Sequence, residues 1–229
     1  MDAKFLNARS PMRLFEKGLH GGLGAGHLGL VLAGPGVGKT SFLVGVALDD
    51  LLRGKAVLHV ALDQTVGHVR AYYDTVFDDF CSTTHLDDAA VVHARLDRLR
   101  SIRAYPPKGF DASRLREALK HEAESGSQPS LVILEGYEVA AARPAELQEL
   151  RDLAHEQQLE IWLSVVCSGE QIPELPAEVG HDAGSFDVIL ALEPGPEAVA
   201  LRALKDHDDP DVGSLHVSLD PRTLLLTRS

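Results

Sequence analysis

Residues 33–41 read Ala33-Gly34-Pro35-Gly36-Val37-Gly38-Lys39-Thr40-Ser41, with an apolar run before them and a helical pattern after them. The run Leu28-Gly29-Leu30-Val31-Leu32 is a candidate buried strand, and residues 42–52 carry the periodicity of a helix. A chain that leaves a buried strand through alternating glycines and goes straight into a helix must turn tightly at the edge of a covered sheet. Successive glycines let several N–H groups point into one concavity, which suits anionic oxygens. The helix start behind it adds unpaired donors and the positive end of a dipole. At this spacing Lys39 reaches β- and γ-phosphates, and the Thr40 hydroxyl ligates Mg²⁺. Gly34, Pro35, Gly36, Val37, Gly38, Lys39, Thr40 and Ser41 are therefore the expected nucleotide-binding segment. One position departs: Ala33 stands where the strict pattern begins with glycine.

The 229 residues suffice for one large domain, and a hydrophobic fraction of 45% allows a sizeable core. No apolar run approaches the length of a membrane span, and the start, Met1-Asp2-Ala3-Lys4, lacks the regions of a secretion signal. Cys81 and Cys167 lie far apart in apolar-flanked segments, so reduced thiols and a cytoplasmic location are expected. With 22 basic against 34 acidic residues the net charge is −12, which weighs against an extended nucleic-acid surface. The densest basic stretch holds Arg95, Arg98, Arg100 and Arg103, interleaved with Leu96, Leu99 and Ile102. It reads as the solvated side of an amphipathic helix running into a strand. The 11 histidines are scattered, without His-Glu-x-x-His or Cys-x-x-Cys spacing, so no structural metal site is expected.

Beyond the loop, apolar strands are predicted at residues 56–62, 131–134 and 161–167, with a short one at 101–105 halted by Pro106-Pro107. Helical patterns cover residues 66–80, 86–99, a segment capped by Asp111 and ended before Gly126, and 144–158 with Pro144 in the first turn. Residues 169–184 are rich in Pro, Gly and Glu and read as a surface loop. Strands at 186–192, 198–204, 215–219 and 223–226 close the chain. Strands alternating with helices specify an α/β domain with a mostly parallel sheet covered on both faces, and the closing strands read as antiparallel. No internal repeat is present, so residues 1–229 are expected to form a single domain.

The series resembles the RecA-like P-loop ATPases, most closely the KaiC/RadA branch, over roughly residues 10–229. Gly21-Gly22-Leu23-Gly24-Ala25-Gly26-His27 looks like that branch's glycine-rich lead-in to the first strand, and residues 33–41 match its Walker A loop. Ala61-Leu62-Asp63-Gln64 sits where the family places its catalytic carboxylate, and Leu131 to Glu135 sits at the Walker B strand. Leu201-Arg202-Ala203-Leu204-Lys205-Asp206-His207 looks like a late strand ending in a Lys-x-Arg pair. In the family that pair reaches the nucleotide of the neighbouring subunit in a ring. Three departures stand out. Asp63-Gln64 replaces the usual Glu, often doubled; Glu135-Gly136 replaces Asp and a hydroxyl residue; and Lys205-x-His207 replaces Lys-x-Arg. Together these degenerate positions imply slow or altered hydrolysis.

The resemblance implies ATP and Mg²⁺ as ligands and a homo-oligomeric ring as the assembly. Lys39 and Asp63 are the expected catalytic pair, Asp63 orienting the attacking water, while an alternative places Asp63 as the cap of the helix beginning near Thr65. Thr40 and Glu135 are the expected magnesium groups, Glu135 through a bound water. Ser168, after the fourth strand, is a candidate γ-phosphate sensor or a turn residue. Lys205 and His207 are candidates for a role in trans, or surface groups amid Asp206, Asp208 and Asp209. No Asn-Lys-x-Asp guanine motif is present, which tilts the expectation towards ATP. The expected function is a slow ATPase acting as a nucleotide-dependent switch or assembly with a protein partner, read out through residues 64–68 and 168–184. The alternatives are a recombination or repair ATPase acting on DNA, a scaffold that binds nucleotide without turnover, and a phosphotransferase. Charge weighs against DNA.

Overall fold

A computed structural model describes residues 10–169, 171–176, 179, 182–209, 212 and 214–228. Five residues of the segment 169–184 (170, 177, 178, 180 and 181) therefore lie outside the described residues. The chain runs through α1 (Met12–Gly18), β1 (Leu28–Ala33), α2 (Lys39–Leu52), β2 (Ala56–Ala61) and α3 (Val66–Thr84). Next come α4 (Ala89–Leu99), β3 (Arg100–Ala104), α5 (Ala112–Glu124), β4 (Pro129–Glu135), α6 (Pro144–Gln157) and β5 (Glu160–Val166). It closes with β6 (Val188–Pro194), β7 (Val199–Asp206), β8 (Ser214–Leu219) and β9 (Leu226–Arg228). All nine strands form one sheet in the order β3-β2-β4-β5-β1-β6-β7-β8-β9. The first six are parallel, and β7, β8 and β9 add on antiparallel. The architecture is α/β, with helices flanking a mostly parallel sheet.

Period-2 alternation decides which side chains meet which helices. Val31 and Ala33 of β1, Val57 and Ala61 of β2, Leu131 and Ile133 of β4, and Trp162 of β5 face α1, α2, α3 and α4. Leu30 and Leu32, Leu58 and Val60, Val132 and Leu134, and Ile161 and Leu163 face α5 and α6. All six residues of β1 are buried, because β5 and β6 flank it and helices cover both sides. The side-chain-free Gly29 lies directly opposite Trp162: a methyl group there would sit 2.5 Å from the indole. Trp162 continues edge-on to Phe42, and Phe42 edge-on to Phe15 of α1, with centroids 6.2 and 5.5 Å apart.

Several boundaries differ from the sequence expectation, each for a local reason. The helix α1 carries no strong pattern and was not expected; it is fixed by the burial of Met12 and Phe15. Helix α2 starts at Lys39, earlier than residue 42, because Gly38 adopts a left-handed backbone (φ 115°) and caps it. Helix α3 runs on to Thr84, where His85 ends it in a left-handed conformation (φ 51°). Asp88 (φ 53°) delays α4 to residue 89. The last strand begins at Leu226, three residues after the expected start, since residues 220–225 form a turn. There Asp220 accepts from the Arg222 and Leu224 amides at 2.7 and 2.8 Å.

At the N-terminal edge of the sheet, Glu160 accepts a hydrogen bond from the Trp162 indole at 2.8 Å. Burial pushes its carboxyl up to about 7. In the unfolded chain Glu160 ionises near the ordinary carboxylate range, so stability is lost as pH rises from about 4.5 through about 7. The substitution Glu160→Gln keeps the acceptor and removes the charge. One pKa unit corresponds to about 1.4 kcal/mol, so with partial hydration we expect the variant to gain roughly 1–2 kcal/mol at pH 8. Thermal unfolding is expected to show a midpoint about 2–8 °C above the parent at pH 8 and no gain at pH 4. Equal midpoints at pH 8 would show that Glu160 ionises freely in the folded chain.

Candidate functional site

The strand order reverses at β1. From it the chain passes outward to β2 and β3, returns through β4 and β5, and then crosses to β6 on the far side. In open parallel sheets, ligands bind beyond the carboxyl ends of the strands at such a switch point. The segment leaving β1 there is the glycine loop. Gly36 (φ 72°) and Gly38 (φ 115°) hold backbone conformations that side chains resist. Gly38 is also closed over by β8, since a methyl group on it would lie 2.8 Å from a Leu219 methyl. The loop is braced by Val37 N–H donating to Gly34 O (3.4 Å) and Phe42 N–H donating to Gly38 O (2.9 Å). Pro35 and Gly36 are exposed at its tip, while Lys39 and Thr40 are half-buried at its base.

Around that base the structure gathers four of the residues expected from sequence, Lys39, Thr40, Glu135 and Asp63. The Lys39 ammonium lies 3.5 Å from Gly34 O. Burial pulls its pKa down, and Glu135, Cys167 and Asp63 act against that shift. The Thr40 hydroxyl donates to Glu135 Oε1, tying α2 to the end of β4 across the sheet. Asp63, one residue past Leu62, stands beside Gly136. A methyl group on Gly136, whose φ is 81°, would lie 2.7 Å from both Cγ and Oδ1 of Asp63. Partial burial and the Glu135 carboxylate raise the Asp63 pKa, and Lys39 opposes them. Register explains the gathering: Ala61 pairs with Glu135, and Leu62 N–H donates to Glu135 O at 2.9 Å.

Asp63 does not cap α3. Thr65 does, its hydroxyl accepting from the His68 amide at 3.2 Å. That leaves the Asp63 carboxyl exposed at the carboxyl edge of the sheet. Ser168 is exposed after β5 and lines a hollow of about 350 Å³ with Cys167, Ile172 and Leu175. The hollow adjoins the loop, since Cys167 N–H donates to Ala33 O at 2.9 Å. Lys205 and His207 lie elsewhere. Strand β7 runs antiparallel to β6, so its end at Asp206 pairs with Val188, at the opposite edge from the loop. Lys205 donates to the carbonyls of Phe186 and Ala183. His207 contacts Asp206 Oδ1 at 2.8 Å and Leu23 O at 3.1 Å. Both side chains lie at the sheet edge away from the glycine loop of their own chain.

Two residues of the site escaped the sequence reading. His59, in the middle of β2, is fully buried on the face that holds Glu135. Its Nε2 is 3.3 Å from Glu135 Oε2 and its Nδ1 is 3.3 Å from the Tyr73 hydroxyl on α3. The Arg100 guanidinium covers the Tyr73 ring at 4.6 Å. The one available signal was a histidine at an inward position of an otherwise apolar strand, a costly placement without a polar partner.

Glu135 Oε2 and Gln64 Oε1 are buried without a hydrogen-bond partner among the described residues. Unpaired buried oxygens of this kind are expensive and expect a donor or a cation. The Thr40 hydroxyl and Glu135 Oε1, in contact here, are oxygen donors of the type that suits Mg²⁺. No protein-family model matches the chain, and no curated protein matches it in sequence. Among the described residues no helix is long and apolar enough to cross a membrane.

The close approach of Asp63 to Gly136 is directly testable. Gly136→Ala should cost about 1–3 kcal/mol in urea unfolding, from the left-handed backbone and the displaced carboxyl. Adding Asp63→Ala should return part of that cost, a non-additivity expected only of side chains in contact. Strictly additive effects would separate the two positions.

Proposed function

We propose that the chain is a RecA-like P-loop protein of the KaiC/RadA type that binds ATP with Mg²⁺ and hydrolyses it slowly. The observation that carries this reading is the convergence of Lys39, Thr40, Glu135 and Asp63 at the foot of a left-handed glycine loop. The loop's position at the sheet's switch point supports the same reading.

The roles follow from the geometry. Amides of residues 34–41 and the start of α2 receive the phosphate oxygens, with Lys39 as the mobile charge that offsets what develops on them. Thr40 and Glu135 would hold the metal, Glu135 through a bound water. Magnesium, when bound, neutralises charge on the β- and γ-phosphate oxygens. Asp63, held at the edge with a raised pKa, orients the attacking water and accepts hydrogen bonds from it. Asp is a methylene shorter than Glu, which gives a looser grip on the water and supports slow turnover. Lys205 and His207 are engaged with groups of their own chain. A ring in which they reach a neighbour's nucleotide therefore requires those contacts to break. A nucleotide-dependent switch, with residues 64–68 and the hollow beside Ser168 responding to the γ-phosphate, needs no such rearrangement.

Calorimetric titration of ATP with Mg²⁺ and a phosphate-release assay, run beside mass determination in solution, test the proposal. We expect Lys39→Ala to abolish binding, and Asp63→Asn to bind ATP while losing at least 90% of turnover, on the order of the contribution of one positioned acid–base group. Undiminished binding by Lys39→Ala would refute the site. Unchanged turnover by Asp63→Asn would remove Asp63 from the reaction. Binding without any phosphate release from the parent would favour the scaffold reading.

A further inference from the structure

The buried pair behind Glu135 has no role in the reaction as described, and its placement is expensive. His59 has no exposed surface, sits among aliphatic side chains, and meets polar groups at both nitrogens. Nδ1 faces the Tyr73 hydroxyl and Nε2 faces Glu135 Oε2, each at 3.3 Å. Burial raises the Tyr73 pKa, so the phenol keeps its proton and can donate it in a hydrogen bond. A phenol donating to Nδ1 leaves the imidazole proton on Nε2, the nitrogen aimed at the carboxylate. The contact between Nε2 and Oε2 is close, yet neither atom makes an aligned hydrogen bond among the described residues. The other carboxylate oxygen is meanwhile held by Thr40.

On the reading of the site given above, we propose that His59 is a positioning residue for magnesium, donating from Nε2 to Glu135, and that Tyr73 fixes its tautomer. Were the Thr40 hydroxyl to serve a bound metal instead, Glu135 Oε1 would lose its donor and be free to accept from a water of that metal. His59 then anchors Oε2, so the carboxylate stays aimed at that water. The Arg100 guanidinium over the phenol ring fixes Tyr73 in turn. Carboxylates that serve a metal are themselves held by hydrogen bonds from an outer layer of residues, and that layer sets their direction.

The test measures the Mg²⁺ concentration that half-saturates the binding of a fluorescent ATP analogue, with chelator present for the metal-free baseline. We expect His59→Leu to raise that concentration about 10–100-fold, the range typical for loss of such a partner, with metal-free nucleotide affinity unchanged. His59→Gln, which keeps an N–H donor, should recover part of the loss, and Tyr73→Phe should fall between. Nitrogen NMR of labelled histidine in the nucleotide-free chain gives a second readout. His59, assigned by difference against His59→Gln, should carry its proton on Nε2 in the parent and as a tautomer mixture in Tyr73→Phe. If His59→Leu fails to fold, Tyr73→Phe decides through both readouts. Parent-like Mg²⁺ dependence in the folded variants overturns the proposal. So does a parent His59 protonated on Nδ1 alone. A parent that binds no nucleotide, with or without Mg²⁺, overturns instead the reading of the site on which the proposal stands.

Discussion

The complete burial of β1 is the constraint from which the remaining structure follows. A strand enclosed by two parallel neighbours and by helices on both faces offers its chain one exit, at the carboxyl edge, and little room to turn. Glycines at 36 and 38 supply the left-handed backbone that makes the exit possible, and the last of them caps α2. Because α2 packs on the face shared by β2 and β4, its first turn arrives beside the ends of those strands. Lys39 and Thr40 therefore meet groups that lie far away in sequence.

Ladder register then determines which groups those are. Pairing Ala61 with Glu135 brings Asp63 and Gly136 together just past the last hydrogen bonds of the two strands. The result sets a buried carboxylate, Glu135, and an exposed one, Asp63, around the half-buried Lys39 ammonium. Mutual repulsion and lost hydration raise the Asp63 pKa, and lost hydration lowers that of Lys39. Opposed shifts of this kind follow from placing like and unlike charges together away from water.

Much of this was legible in the sequence. The loop announces itself because glycine is the residue that tolerates its backbone, and the strands because burial on both sides demands uninterrupted apolar runs such as Leu131 to Leu134. The antiparallel closing strands were legible from the turn residues that bound them. What escaped has physical causes. Helix α1 is too short for its two buried residues to show a period. The end of α3 is set by a left-handed His85, a choice that local pattern does not specify. His59 and Tyr73 were invisible as a pair because their meaning comes from a contact between β2 and α3. Tyr73 itself reads as an ordinary member of an apolar helix face. The positions of Lys205 and His207 follow from how far β7 runs back along β6, a register that puts its end beside Val188, at the edge away from the loop.

The Leu219 methyl that closes over Gly38 links two parts of the molecule that otherwise do different work. The antiparallel ribbon of β7, β8 and β9 lies beyond β6, outside the parallel core. Through that apolar contact it limits how far the loop can swell. A displacement of the loop to admit a larger guest must push on β8, whose partner β9 pairs over only three residues. The ribbon therefore acts as a spring leaf against the mouth of the site, and its stiffness sets how readily that mouth gives way.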